Sequence, residues 1–126
     1  MKTIKIGIMS QKEIRERTLA IASGEYKPKS DEPKIWFTSI RSLAEVLSDA
    51  NQVLLQVIME RKPNSIRELA DLTGRQSSNL SRTLKMLSGY GFVKLEKLNK
   101  VVCPVAKAAK FNVTFGAHCH WGKASS

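Results

Sequence analysis

The chain has 126 residues, with 21 Lys+Arg against 11 Asp+Glu and a formal net charge of +10. Its length suits one compact domain, and 42% hydrophobic with 25% charged residues are globular proportions that exclude wholesale disorder. The longest apolar stretch, residues 53–59, falls far short of the ~20 residues that span a bilayer. Residues 1–10 have no sustained apolar region, so no secretory signal is expected, and two cysteines make no disulfide framework. A basic cytoplasmic protein without a membrane partner is the expectation.

The excess charge is uneven. Residues 1–73 hold 12 basic and 10 acidic side chains, whereas residues 74–126 hold 9 basic ones and a single acid, Glu96. Such asymmetry points to a polyanionic partner, nucleic acid ahead of an anionic membrane surface. A solvated face would look the same by charge alone, so the elements that carry the cations must decide.

In chain order, Thr3 to Met9 alternates loosely, with Ile4, Ile6 and Ile8 on one side, and is predicted as a short strand. Ser10 and Glu13 have the spacing of a capping box, and a helix with Ile14, Thr18, Ile21 and Ala22 on one face is predicted to run to Ser23, ended by Gly24. Residues 27–33 form a polar, proline-bracketed linker. Ile35-Trp36-Phe37 is a short extended piece whose aromatic pair belongs in a core more readily than at a partner surface. Two amphipathic helices follow. The first has Ile40, Leu43, Ala44 and Leu47 as its stripe; the second, after Ser48-Asp49, has Ala50, Val53, Leu54, Val57 and Ile58.

Ser65 and Glu68 form a second capping box for a short helix with Ile66, Leu69 and Ala70 inside, and Gly74 stands where a helix end wants positive φ. The next helix is predicted over 76–88, with Leu80, Thr83, Leu84 and Leu87 inside. Ser78, Arg82 and Lys85 then fall on the opposite side, flanked by Asn79 and Ser81. Gln76 is a poor cap, so either the helix starts at Ser77 or Arg75 and Gln76 turn toward phosphate. A hairpin is predicted over 92–106, turning at Asn99-Lys100 and tipped with Lys97 and Lys100, and Phe111, Val113 and Phe115 make a third alternating strand.

Two short helices joined at a glycine turn, the second basic outside and followed by a cationic hairpin, have a physical reason to bind double-stranded DNA. A helix fits the major groove, and short Ser and Asn side chains keep its backbone close to base edges. The expected contacts are Arg75 just before the helix, Gln76, Ser77, Ser78, Asn79, Ser81, Arg82 and Lys85 on it, and Lys97 and Lys100 on the hairpin. The expected fold is mainly α with a small β-hairpin wing (α+β). It comprises an N-terminal strand-helix arm at 1–38, a DNA-binding domain at 39–115 and a flexible tail at 116–126.

Leu69-Ala70-Asp71-Leu72-Thr73-Gly74, then Ser78-Asn79-Leu80-Ser81-Arg82-Thr83-Leu84, then Leu87 and Gly91-Phe92-Val93, resemble the winged helix-turn-helix core of MarR-like regulators. The resemblance covers about residues 39–115, and the Ser81-Arg82 pair matches a position where that superfamily commonly contacts DNA. With Gly24-Glu25-Tyr26-Lys27-Pro28 and Trp36-Phe37-Thr38-Ser39 included, the chain is similar to small predicted DNA-binding regulators, some regarded as antitoxins of TumE-type toxins. The resemblance implies a sequence-specific transcriptional regulator, a dimeric repressor. Its alternative is an antitoxin that binds a cognate toxin protein and autorepresses its operon; an RNA-binding winged helix comes third. No nucleophile, base and orienting acid come together, so no enzyme is expected. His118, Cys119 and His120 lack the paired spacing of a structural zinc site, so neither metal nor cofactor is expected, and Cys103 fits a small packed residue.

Overall fold

The computed structural model describes residues 3–115 and is an α+β fold. The expectations for residues 116–126, the His118-Cys119-His120 ligand types included, lie outside the described residues. The elements are β1 (Thr3–Ile8), α1 (Gln11–Ser23), β2 (Ile35–Phe37), α2 (Ile40–Val46), α3 (Asp49–Arg61), α4 (Ile66–Thr73), α5 (Ser77–Tyr90), β3 (Val93–Leu98), β4 (Val101–Ala106) and β5 (Lys110–Thr114). They divide into two compact units at 44/45 and 110/111, where the sequence expectation set its boundaries at 38/39 and 115/116. Among the described residues no helix is long and apolar enough to cross a membrane.

The first unit holds residues 4–44 and the chain from Phe111. Its sheet has the order β2-β1-β5. β1 and β2 run parallel in the register Ile6↔Ile35, Gly7↔Trp36 and Ile8↔Phe37. Parallel neighbours need a long connection, supplied here by α1 and the 24–34 segment. The Ser10 hydroxyl accepts from the Glu13 amide at 3.2 Å and opens α1. Gly7 is required by packing, because a Cβ there would lie 2.2 Å from the Trp36 ring. The third alternating stretch of the sequence becomes β5, which joins β1 rather than the hairpin.

Two sequence expectations need correction in this unit. On α1, Thr18 and Ala22 are exposed, while Ala20 is buried and Arg17 turns inward. An inward arginine is tolerated because its Nε donates to Glu32 Oε1 at 2.7 Å and its guanidinium lies 5.4 Å from the Trp36 ring centroid. The 27–33 segment is accordingly more than a polar linker. Glu32, only 8% exposed, also accepts from the Tyr26 hydroxyl and from the Lys29 amide at 3.2 Å. Burial pushes the Glu32 carboxyl upward, but these hydrogen bonds outweigh it and hold the group below the ordinary carboxylate value.

The second unit, Glu45–Lys110, packs α3, α4 and α5 with the β3–β4 hairpin. Its buried centre includes Leu55, Ile58, Leu69, Leu80, Leu84 and Phe92. Each such side chain contributes roughly 1.5–3 kcal/mol by leaving water. The α3 stripe differs from the expected one. Val53 is 59% exposed and Ala50 is exposed, whereas Asn51 and Leu55 are buried. The reason is the Asn51 side chain, whose Nδ2 donates to the Val46 carbonyl at 2.9 Å. With its amide satisfied at the helix start, Asn51 can enter the core, and the buried phase becomes Asn51, Leu54, Leu55 and Ile58. Ile40 and Ala44 of the expected α2 stripe are likewise exposed, and Leu43, Val46 and Leu47 are the buried residues there.

Candidate nucleic-acid interface

The helix pair α4–α5 is defined by local chemistry at each end. Ser65 accepts from the Glu68 amide at 3.0 Å, and the Glu68 carboxylate reaches back one residue beyond the cap to accept from the Asn64 amide at 3.1 Å. Gly74, at φ 74°, ends α4, and its amide donates to the Ala70 carbonyl at 2.8 Å. An L side chain would be strained in that left-handed conformation, so the sharp turn into α5 depends on glycine.

α5 begins at Ser77, which settles the alternative left open by the sequence. Gln76 occupies the N-cap with extended backbone and makes no side-chain cap bond, unlike Ser10, Ser48 and Ser65 at α1, α3 and α4. The first amides of α5 therefore keep their donors for another acceptor. The helix also continues past the expected residue 88 to Tyr90, with Gly89 inside it and Gly91 as the C-cap. Leu80, Leu84 and Leu87 are fully buried, which fixes the rotation of α5. Gln76, Ser77, Ser78, Asn79, Arg82 and Lys85 are exposed as a consequence, and Ser81 is half-buried at their margin.

Arg75 behaves differently from the other cations. Its Nη2 donates to Asn79 Oδ1 at 3.0 Å and Thr83 Oγ1 at 3.4 Å, so the guanidinium lies along the first turns of α5. Its Nη1 is buried without a hydrogen-bond partner among the described residues. Arg82 and Lys85, by contrast, enter no ion pair there. Thr83 was expected only as packing, and its role as an acceptor for Arg75 has no signal in hydrophobic periodicity.

The hairpin follows directly. β3 and β4 are antiparallel from Val93↔Ala106 to Leu98↔Val101. Asn99 and Lys100 have φ of 50° and 69°, as the two central residues of a type I′ hairpin turn require. Val93, Leu95 and Lys97 share one face of β3, yet Lys97 stays exposed because it lies toward the tip. Lys94 lies on the opposite face, exposed, at 4.0 Å from Glu96, a separation at which a surface pair contributes little. Lys94 and Lys107 are exposed cations that the sequence reading did not single out, although strand alternation alone places Lys94 away from Val93. The Cys103 thiol donates to the Pro63 carbonyl at 3.4 Å, tying β4 to the segment before α4. Residues 74–115 thus present eight basic side chains against Glu96 alone.

The family model described as HVO_A0114 matches residues 46–111, from the end of α2 through the hairpin to the start of β5. The chain belongs to the HVO_A0114 family. The region shared with the HVO_A0114 family is therefore almost the same as the second compact unit, and it contains every candidate contact named above. No curated protein and no solved structure matches the chain.

Proposed function

We propose that Glu45–Lys110 is a winged helix-turn-helix module and that the protein is a sequence-specific, DNA-binding transcriptional regulator acting as a dimeric repressor. In this reading α5 enters the major groove and the β3–β4 hairpin is the wing, lying on the adjacent backbone or minor groove. One observation carries it: α5 exposes Ser78, Asn79, Arg82 and Lys85, the hairpin that follows it directly is tipped with exposed Lys97 and Lys100, and Arg82 and Lys85 have no acid paired with them among the described residues. Short polar groups suit base edges, the longer cations suit phosphates or guanine, and the uncapped start of α5 favours an anion. An RNA reading is supported less, since single-strand recognition relies on exposed aromatics for stacking, and Tyr90 is the one exposed aromatic ring on α5.

Dimerisation follows from energetics, because one ~600–1,000 Å² module rarely holds an operator alone. The first unit offers an apolar contact for it in Leu19, 62% exposed on α1. A mobility-shift assay on DNA upstream of the protein's own gene, with random duplex competitor at physiological salt, tests the proposal. A discrete complex that resists the competitor is expected. Retardation abolished equally by any duplex would refute sequence-specific regulation.

A further inference from the structure

Asn79 is the third residue of α5, in the part of such a helix that lies nearest to bases, so its amide bears directly on which base is read. An unconstrained asparagine suits adenine, donating to N7 and accepting from N6. Asn79 is constrained. Arg75 Nη2 donates to its side-chain oxygen at 3.0 Å and to Thr83 Oγ1 at 3.4 Å. A guanidinium has only donors, so the amide atom that meets it must be the oxygen, and chemistry alone settles which way the amide points. The Nδ2 group then remains as the outward function, and it has no hydrogen-bond partner among the described residues.

Resting on the duplex reading above, we infer that Arg75 is a specificity-positioning residue, which holds Asn79 as a donor-only reader of guanine or thymine, whose major-groove edges carry acceptors and no amino donor, in place of adenine, whose N6 donor would need the occupied oxygen. Guanine offers N7 and O6 and thymine offers O4 to the two Nδ2 hydrogens. A second lone pair remains on the Asn79 oxygen. A donor from adenine N6 would have to approach it beside a cation already bound there, which penalises that pairing.

The test is selection from a randomised duplex library with the full chain and its Asn79→Ala, Arg75→Met and Arg75→Lys variants. Wild type is expected to enrich a motif in which one base per half-site loses its preference in Asn79→Ala, and that base is guanine or thymine. Arg75→Met, which keeps bulk but frees the amide oxygen, shifts that base toward adenine by roughly five- to tenfold in relative enrichment. Arg75→Lys retains a donor and keeps the wild-type base. Adenine at the Asn79-dependent position in wild type would overturn the inference, as would an unchanged preference there in a folded Arg75→Met variant. A motif with no Asn79-dependent base would also overturn it, while leaving the duplex reading intact. If wild type enriches no duplex motif at all, that reading fails and the inference falls with it. Where Arg75→Met does not fold, as judged by circular dichroism, wild type against Asn79→Ala still decides.

Discussion

Arg17 in the first unit and Arg82 in the second are the same residue type in opposite settings. Arg17 is drawn inward, bonded to Glu32 and laid against Trp36, and Glu32 is bonded in turn by Tyr26 and the Lys29 amide. Arg82 projects from α5 with no acid beside it among the described residues. Arg75 stands between these cases, bonding to neutral groups of the helix that it precedes. Paired with an acid, a cation is structural; left unpaired, it adds to a positive field that attracts anions. Residue counts register the net charge and miss this difference.

The comparison can be broken at either arginine site. The largest effect is expected from Glu32→Ala, which removes the carboxylate to which Arg17 and Tyr26 donate. Denaturant unfolding should show a loss of about 3 kcal/mol, near the low end for a buried pair because Arg17 keeps some contact with solvent. Duplex affinity of the folded variant should not change. Acid should act on the same knot. Because the Glu32 pKa is lowered by folding, its contribution is complete above the unfolded value of about 4.5 and disappears as pH falls through the lower folded value. Wild type should therefore lose stability below about pH 4, and Glu32→Gln should lack that component; an identical acid limb in both would assign it to other carboxylates.

Arg82→Ala should do the converse. Affinity for a selected duplex is expected to drop by roughly 1–3 kcal/mol, with a smaller loss on random duplex and a stability change within about 0.5 kcal/mol. Equal losses on both duplexes would remove Arg82 from base reading. Lys97→Ala should weaken all duplexes alike and reduce the slope of log affinity against log salt by about 1. The smallest effect sharpens the comparison most. Lys100 occupies a left-handed turn position that costs an L residue about 1 kcal/mol, so Lys100→Gly should raise stability by up to that amount while lowering duplex affinity. A variant both more stable and equally tight would mean that the lysine is there for neither purpose.

The elements of this fold were legible where local chemistry decides them. Ser10 and Ser65 with their glutamates, Gly74, and the Asn99-Lys100 turn each act through bonds or dihedrals within a few residues, and the structure places all of them as the sequence implied. Helix phase was less legible. Asn51 counts as polar, yet one bond to the Val46 carbonyl admits it to the core and turns Val53 outward. The Glu32 knot joins residues 15 positions apart in sequence, and β5 pairs with a strand at the other end of the chain, so neither leaves a periodic trace. On the candidate interface, period and burial of leucine were enough to expose Ser78, Asn79, Arg82 and Lys85. The inward lie of Arg75 was not, because a side chain that reaches from the turn onto the following helix obeys hydrogen-bond geometry rather than hydrophobic pattern.

The most direct measurement is a backbone amide NMR titration of the full chain with a short duplex at physiological salt. Shift changes are expected to concentrate at Ser77–Lys85 and Lys97–Lys100, leaving the amides around Arg17 and Glu32 in place. Changes centred on α1 and the 26–32 segment, with α5 unmoved, would contradict the assignment of α5 as the DNA-reading helix.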